Sequence, residues 1–428
     1  MTNVAVFPSS VFFQVIDMLT NAPDRKVYSS IGLCKKKASM EYLIRASLSH
    51  QIPEYGQYIV LSIVSERIDI ANWLNILTDG AACAISFLPS TGEWWGSVMS
   101  SQKDLLPLDK IKLIGPQMDS FIMSDFGLNE NKASVTQMDP SLYKQFSRTI
   151  GVLGKEPWEK LTSLTMAIIG CGRSGSLAAT TLVKSGVRNL ILIDPDVVEI
   201  HNVPEMDGIT AKDVGTAKVE ALASFLKTMG CRENETLNIV ASTSPIYDAH
   251  CLALEADVLI SCVDNDAARM NCAIIASLYH KILLDIGTGI LPGTQSDSPS
   301  QVQPDRKMGA DMRIIIPGGG CLLCLGGVAD YENAMKELAG FALPSNEPWW
   351  VERFGSLRTL NMTAVHIALQ LLLEFLSGQI SQSTWLQMEY QNEGNIILHN
   401  NQEKSNPTIC PLCSKAGLGD WGIFRGNE

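Results

Sequence analysis

The stretch Leu164-Thr-Met-Ala-Ile-Ile-Gly170-Cys-Gly172-Arg-Ser-Gly175 decides the fold. An apolar strand, Met166–Ile169, runs straight into three glycines. A helical run, Ser176–Lys184, follows, and Gly186 is placed to stop it. Leu190–Ile193 then reads as a second buried strand, and Asp194 stands at its end. Glycines between a strand and a helix let the backbone approach a phosphate closely. The helix behind them offers unpaired N–H groups and the positive end of a dipole. A carboxylate at the end of the next strand can accept both hydroxyls of a ribose.

A lone glycine pattern of this kind is weak evidence, but here strand, helix and acid agree. The unit reads as Rossmann-like and nucleotide-binding, with Gly170, Gly172 and Gly175 in the loop. Further apolar strands follow at Asn238–Ala241, Asp257–Val263 and Ile282–Ile286, with helical runs between them. That alternation predicts an α/β fold with a doubly wound, mostly parallel sheet, whose ligands bind beyond the carboxyl ends of the strands. Asp194 and Asp264 both fall at such ends.

The chain has 428 residues, enough for two domains. Residues 1–130 read as a separate α/β or α+β accessory domain, with a helix over Ser10–Thr20 and strands at Tyr58–Ile63 and Ala81–Phe87. Residues 131–428 carry the nucleotide unit, beginning with a polar linker near Asn129–Ser141. The net charge of −12, without blocks of like charge, argues against nucleic acid as a principal partner. The start lacks a basic region followed by an apolar core. Arg358–Leu376 reads as an amphipathic-to-buried helix, and its greasiest stretch, Ala364–Leu376, as too short and too polar to span a bilayer. A soluble cytoplasmic protein is therefore expected, with reduced thiols among its eleven cysteines.

Cys321-Leu-Leu-Cys324 and Cys410-Pro-Leu-Cys413 form two knuckles that can close a tetrahedral thiolate site, which points to structural zinc. Neither pair shows the strand-then-helix setting of a redox pair. Asp264 can hold Mg²⁺ against a triphosphate or cap the helix that begins beside it. Lys218 can reach a phosphate or simply lie solvated on a helix. Leu291–Pro317 reads as long, polar and loop-rich.

The glycine loop, Asp194-x-Asp196, Asn202, Asp213-Val-Gly-x-x-Lys218, Asp264-Asn265-x-x-x-Arg269 and the two knuckles occur in one order. That order resembles the ThiF/HesA/MoeB family, bacterial relatives of ubiquitin-activating enzymes, over about Leu142–Cys413. The resemblance implies adenylation, with ATP and Mg²⁺, of the C-terminal glycine of a small ubiquitin-like protein, and a homodimer. It implies that Asp194 holds the ribose, Lys218 neutralises the α-phosphate, Asp264 holds magnesium and the four cysteines hold zinc. It implies further that Asp196, Asn202, Asn265 and Arg269 are polar residues of the nucleotide-binding site, and that Arg148 matches an arginine given to the partner's ATP. A conjugating enzyme would then receive the activated protein.

The chain departs from the family in two places. Glu205 stands where an arginine is usual, and Arg173 where a glycine is usual, so Arg173 is expected to supply the missing cation. No cysteine lies between Gly287 and Gly320 or between Cys324 and Cys410. One reading is that the reaction stops at the adenylate, as for sulfur-carrier activators of the thiamin or molybdopterin type. Alternatively a serine (Ser296, Ser298 or Ser300) takes the acyl group. A pseudoenzyme scaffold and an NAD(P) oxidoreductase are the remaining readings, the latter giving no role to Lys218, Asp264 and the knuckles together. The first 130 residues loosely resemble a JAB/MPN-type isopeptidase without its His-x-His pair, which would make that domain inactive; a binding or dimerisation domain is the alternative.

Overall fold

A computed structural model describes residues 2–22, 25–53, 57–63, 81–88, 93–99, 105–115, 118, 120–122, 140–229, 237–291, 307–329, 331–338, 357–391, 394–401 and 410–420. Two compact units emerge. The first comprises Met1–Gln145, Ser277–His280 and Pro411–Glu428, and the second Phe146–Ala276 and Lys281–Cys410.

The first unit is built on nine strands: β1 (Thr2–Pro8), β2 (Val27–Lys35), β3 (Ser39–Ser49), β4 (Tyr58–Ile63), β5 (Ala81–Leu88), β6 (Glu93–Met99), β7 (Leu105–Pro107), β8 (Lys110–Ile114) and β9 (Ser120–Ile122). They form one mixed sheet in the order β7-β6-β5-β4-β2-β3-β1-β8-β9. β1 runs parallel to β3 and β8, and β4 parallel to β5. The helix expected over Ser10–Thr20 spans Ser9–Asn21. Its Val11, Phe12, Val15 and Leu19 recur at helical spacing, and they pack with Phe7, Ile44 and Ile59 of the sheet.

The second unit carries the expected α/β architecture. Its strands are β10 (Thr165–Ile169), β11 (Asn189–Ile193), β12 (Asn238–Ser242), β13 (Val258–Ser261), β14 (Ile282–Leu291), β15 (Lys307–Ile315), β16 (Thr384–Tyr390) and β17 (Ile396–Asn401). The sheet order is β12-β11-β10-β13-β14-β15-β16-β17. β12 through β14 are parallel; β15, β16 and β17 are antiparallel. β13 is buried throughout, as its continuous apolar run requires. The chain leaves β10 to one side, toward β11 and β12, and returns on the other as β13. The crevice above the carboxyl ends of β10 and β13 is therefore the topological switch point, where open α/β sheets bind ligands.

Three readings of the sequence need correction. The fifth strand does not end at Ile286 but continues through Gly287-Thr288-Gly289 to Leu291. Much of the stretch read as loop, Leu291–Pro317, is β15, paired from Leu283↔Ile315 to Leu291↔Lys307; residues 292–306, with the three candidate serines, lie outside the described residues. Both differences have one cause: antiparallel pairing supplies the hydrogen bonds that glycines and polar residues do not signal locally. Thirdly, the helix read over Arg358–Leu376 spans those residues, but its 19 residues are by length and composition alone enough to cross a bilayer, so the shorter stretch Ala364–Leu376 understates it. Here Leu360, Ala364, Val365, Ala368, Leu372 and Phe375 are buried, and the helix packs on β14 and β15.

Candidate functional site at the sheet's switch point

The glycine loop is shaped by contacts that no side chain would survive. Gly170 has φ +85°, and a Cβ there would come 2.7 Å from the Cys262 carbonyl oxygen, which belongs to the segment leaving β13. A Cβ on Gly175 would lie 1.9 Å from the Gly170 carbonyl oxygen. These two glycines thus weld the ends of β10 and β13 to the start of the next helix. A Cβ on Gly172 would meet nothing within 4 Å, so that side of the loop is open to a ligand. The helix starts at Arg173, three residues earlier than expected, with Gly172 as its N-cap. Its first N–H groups have no acceptor within the helix. At the other end Gly186, at φ +110°, donates to the Leu182 and Val183 carbonyls and terminates it.

Asp194 is buried at the end of β11. Its Oδ2 accepts the Cys171 N–H at 2.6 Å and its Oδ1 the Asp196 N–H at 2.8 Å. Burial raises its carboxyl above the ordinary carboxylate range, while Lys218 and the two N–H groups work the other way. Lys218 stands at the first position of helix Lys218–Thr228, and its Nζ lies 2.7 Å from Asp196 Oδ2. Its backbone N–H donates to the Asp196 carbonyl, so the Asp213–Lys218 segment is fastened to the Asp194–Asp196 turn. Loop, Asp194, Asp196 and Lys218 thus form one connected rim.

Asp264 is exposed beyond the end of β13, on the other side of the switch point. The capping role is taken by its neighbour: Asn265 Oδ1 accepts the Ala268 N–H at 2.8 Å. Arg269 points into the core, with Nε 3.0 Å from Asp285 Oδ1, and Nη2 donates to the Val263 carbonyl just before Asp264. The Nε–Oδ1 approach is close enough for an ion pair but too poorly aligned for a hydrogen bond. Asn202 serves a local turn, its Oδ1 accepting the Glu199 N–H at 2.9 Å. Arg173 is half-buried on the first turn of the loop helix, and Arg148 is exposed on helix Ser147–Leu153.

The sequence reading missed a buried network that supports the rim. Asp285, fully buried on β14, accepts from Ser261 Oγ at 3.1 Å and from Arg313 Nη1 at 3.2 Å, besides its pair with Arg269. Arg313 also donates to the Leu325 and Gly326 carbonyls and stacks on Trp385 at 4.6 Å. The available signal was a lone charge inside each of two apolar strands, Ile-Leu-Leu-Asp285-Ile and Met-Arg313-Ile-Ile-Ile, which is tolerable only when paired. A second omission is Arg358. Its Nη1 donates to the Glu205 carbonyl at 2.6 Å and its Nη2 pairs with the Asp207 carboxylate.

The Sγ atoms of Cys321, Cys324, Cys410 and Cys413 lie within 4.8 Å of one another, the one such group of potential metal ligands among the described residues. Cys321 Sγ is 3.8 Å from Cys324 Sγ and 3.5 Å from Cys410 Sγ. Zinc–thiolate bonds of about 2.3 Å arranged tetrahedrally require sulfur–sulfur edges of about 3.8 Å. A disulfide would need about 2 Å. The donor set therefore fits zinc with no open position. We expect about one zinc per purified chain, and its loss in Cys324→Ser, read by elemental analysis together with a lower melting temperature. Retention of full zinc would contradict the site. The other cysteines near the rim are packing residues. Burial pushes the thiols of Cys171, Cys262 and Cys272 up, that of Cys272 to about 12, so none is a thiolate at neutral pH.

The ThiF family model matches residues 146–411. Ubiquitin-like modifier-activating enzyme 5 of Drosophila grimshawi is 32% identical over 159 residues, covering 34% of this chain and 39% of that protein. tRNA threonylcarbamoyladenosine dehydratase of Bacillus subtilis is 41% identical over 78 residues, 18% of this chain and 31% of that one. Adenylyltransferase and sulfurtransferase uba4 of Aspergillus fumigatus is 32% identical over 167 residues, 36% and 32% of the two chains. The chain thus spans well under two thirds of the length of these relatives. Among solved structures, E. coli MccB with ATP aligns over 63% of this chain and 74% of that one, at 18% identity and a TM-score of 0.45. The match of the family model to most of the chain, over the unit that carries the glycine loop, identifies this protein as a member of the ThiF family.

Proposed function

We propose that the protein binds ATP with Mg²⁺ at the switch point and adenylates the C-terminal glycine carboxylate of a small ubiquitin-like protein, releasing pyrophosphate. The observation that carries this reading is the pairing across one crevice of an open glycine loop and an exposed acid. Gly172 is open on the β10 side and Asp264 is exposed on the β13 side. Magnesium would shield the phosphate charges and polarise the phosphorus under attack. Asp264 is its candidate ligand.

The chain's own residues then have separable tasks. Asp194, oriented by two backbone N–H groups, accepts the ribose hydroxyls. The N-terminus of the loop helix meets the phosphates. Lys218 exchanges its Asp196 contact for the α-phosphate as negative charge accumulates there. Arg173 adds a cation from the first helical turn. No protein nucleophile is required, because a carboxylate attacks phosphorus directly and positioning lowers the barrier. Asn202, Asn265 and Arg269 complete the polar lining of the nucleotide site, and their turns and pairs hold the rim in place.

A homodimer in which Arg148 reaches the partner's site is part of this proposal, as is transfer to a conjugating enzyme. The N-terminal unit is read as a binding or dimerisation module; the inactive isopeptidase reading rests on the resemblance alone. A sulfur-carrier activator is the second reading, favoured by the absence of cysteine between Cys324 and Cys410. Both share the adenylation step and differ in what receives the acyl group. ATP–pyrophosphate exchange, assayed with small ubiquitin-like proteins ending in glycine, tests the shared step. Exchange that requires the intact glycine terminus is expected; exchange by none of them would refute the substrate class.

A further inference from the structure

Arg358 is the first residue of the helix Arg358–Leu376, and its side chain is 34% exposed. It reaches the segment Asn202–Asp207, whose charged side chains are both acidic. That segment touches the glycine loop: the Asp207 N–H donates to Ser176 Oγ at 3.0 Å, and Ser176 Oγ donates to the Arg173 carbonyl at 3.1 Å. A second tie lies one turn further along. Asn361 Oδ1 accepts from Ser174 Oγ at 3.4 Å and from Thr288 Oγ1 at 2.8 Å. The first turns of two helices therefore meet, and Arg358 sits where they meet.

The electrostatics of this junction are one-sided. Both helices bring the positive ends of their dipoles, and a cation on the first turn of its own helix has the unfavourable sign. Asp207 offsets part of that cost but leaves the guanidinium partly open to solvent. A fork of N–H donors in this setting suits a phosphate oxygen better than it suits a resting helix.

We propose that Arg358 is a phosphate-reading residue of this site, binding the β- or γ-phosphate of the nucleotide and so distinguishing ATP from AMP. This rests on the adenylation reading and adds to it a residue that the glycine-loop pattern does not contain. When ATP is present, the guanidinium keeps its Glu205 carbonyl bond and turns its other edge from Asp207 to the phosphate. No covalent bond changes in this step.

The test is calorimetric titration of the full chain with ATP and with AMP, each with Mg²⁺, for wild type, Arg358→Ala and Arg358→Gln. Glutamine retains a donor for the Glu205 carbonyl while removing the charge, so it serves if the alanine variant folds poorly. Expected is a loss of about tenfold or more in ATP affinity, with AMP affinity changed by less than about twofold, since one charge-assisted phosphate contact is at stake. Equal weakening of both nucleotides would mean that Arg358 is only a staple between loop and helix, and would overturn the proposal. So would unchanged ATP binding. If wild type binds neither nucleotide, the adenylation reading fails first and takes this proposal with it, an outcome distinct from the other two.

Discussion

Asp264→Ala should reduce ATP–pyrophosphate exchange by about a thousandfold, roughly 4 kcal/mol of transition-state stabilisation, while leaving the melting temperature unchanged. The two halves of that expectation come from different observations. The magnitude follows from the loss of a metal ligand in a reaction that depends on dispersing phosphate charge. The unchanged stability follows from exposure, because substitution of an exposed side chain usually changes stability by less than about 0.5 kcal/mol. The cap of the following helix belongs to Asn265 and survives the substitution. An activity within about threefold of wild type would remove Asp264 from the site, because a magnesium ligand is worth far more than that. A fall in melting temperature that tracks the loss of activity would make its role structural.

Asp285→Ala should do the opposite and act through the fold. Removing the carboxylate leaves Arg313, 3% exposed, and Arg269 without their shared buried partner. Breaking a buried pair from one side costs about 3–5 kcal/mol. The lower end applies here, because Arg313 keeps Asp311 at 3.4 Å and the Trp385 face, and Arg269 keeps Asp266 at 3.7 Å. About 3 kcal/mol corresponds to a drop of about 6–12 °C for a unit of this size. Scanning calorimetry reads it as a shift in the transition of the second unit. Exchange activity should fall as well, because Arg269 holds the Val263 carbonyl beside Asp264. Asp285→Asn should fall between, retaining hydrogen bonds without charge. A variant melting within about 2 °C of wild type would show that the network contributes little.

The contrast between these acids also marks what could be read in the sequence. Gly170 and Gly175 were legible because each is excluded from carrying a side chain by contacts close along the chain or at the neighbouring strand end. The two Cys-x-x-Cys pairs were legible because thiolate coordination fixes spacing. Asp285, Arg313 and Arg358 were not, because their partners come from β13, the Cys321–Gly327 loop and the Asn202–Asp207 turn. Such partners are distant in sequence, and no local pattern names them. The same reason hid β15 and the continuation of β14: antiparallel pairing across a long connection is a tertiary event, and Gly287-Thr288-Gly289 looks like a turn until its partner strand is known. Asn202 and Arg269, picked out as polar positions of the site, also hold a turn and a core pair, contacts that motif order alone does not reveal.

Isothermal titration of the full chain with ATP and Mg²⁺, for wild type and Asp194→Ala, measures most directly whether the crevice between β10 and β13 takes ATP as proposed. Asp194 is buried against the glycine loop and reaches the rim from β11, so its carboxylate should be indispensable to ribose binding. Saturable binding of about one nucleotide per chain, lost in a folded Asp194→Ala variant, is the predicted result. Absence of binding by wild type, or undiminished binding by the variant, would contradict it.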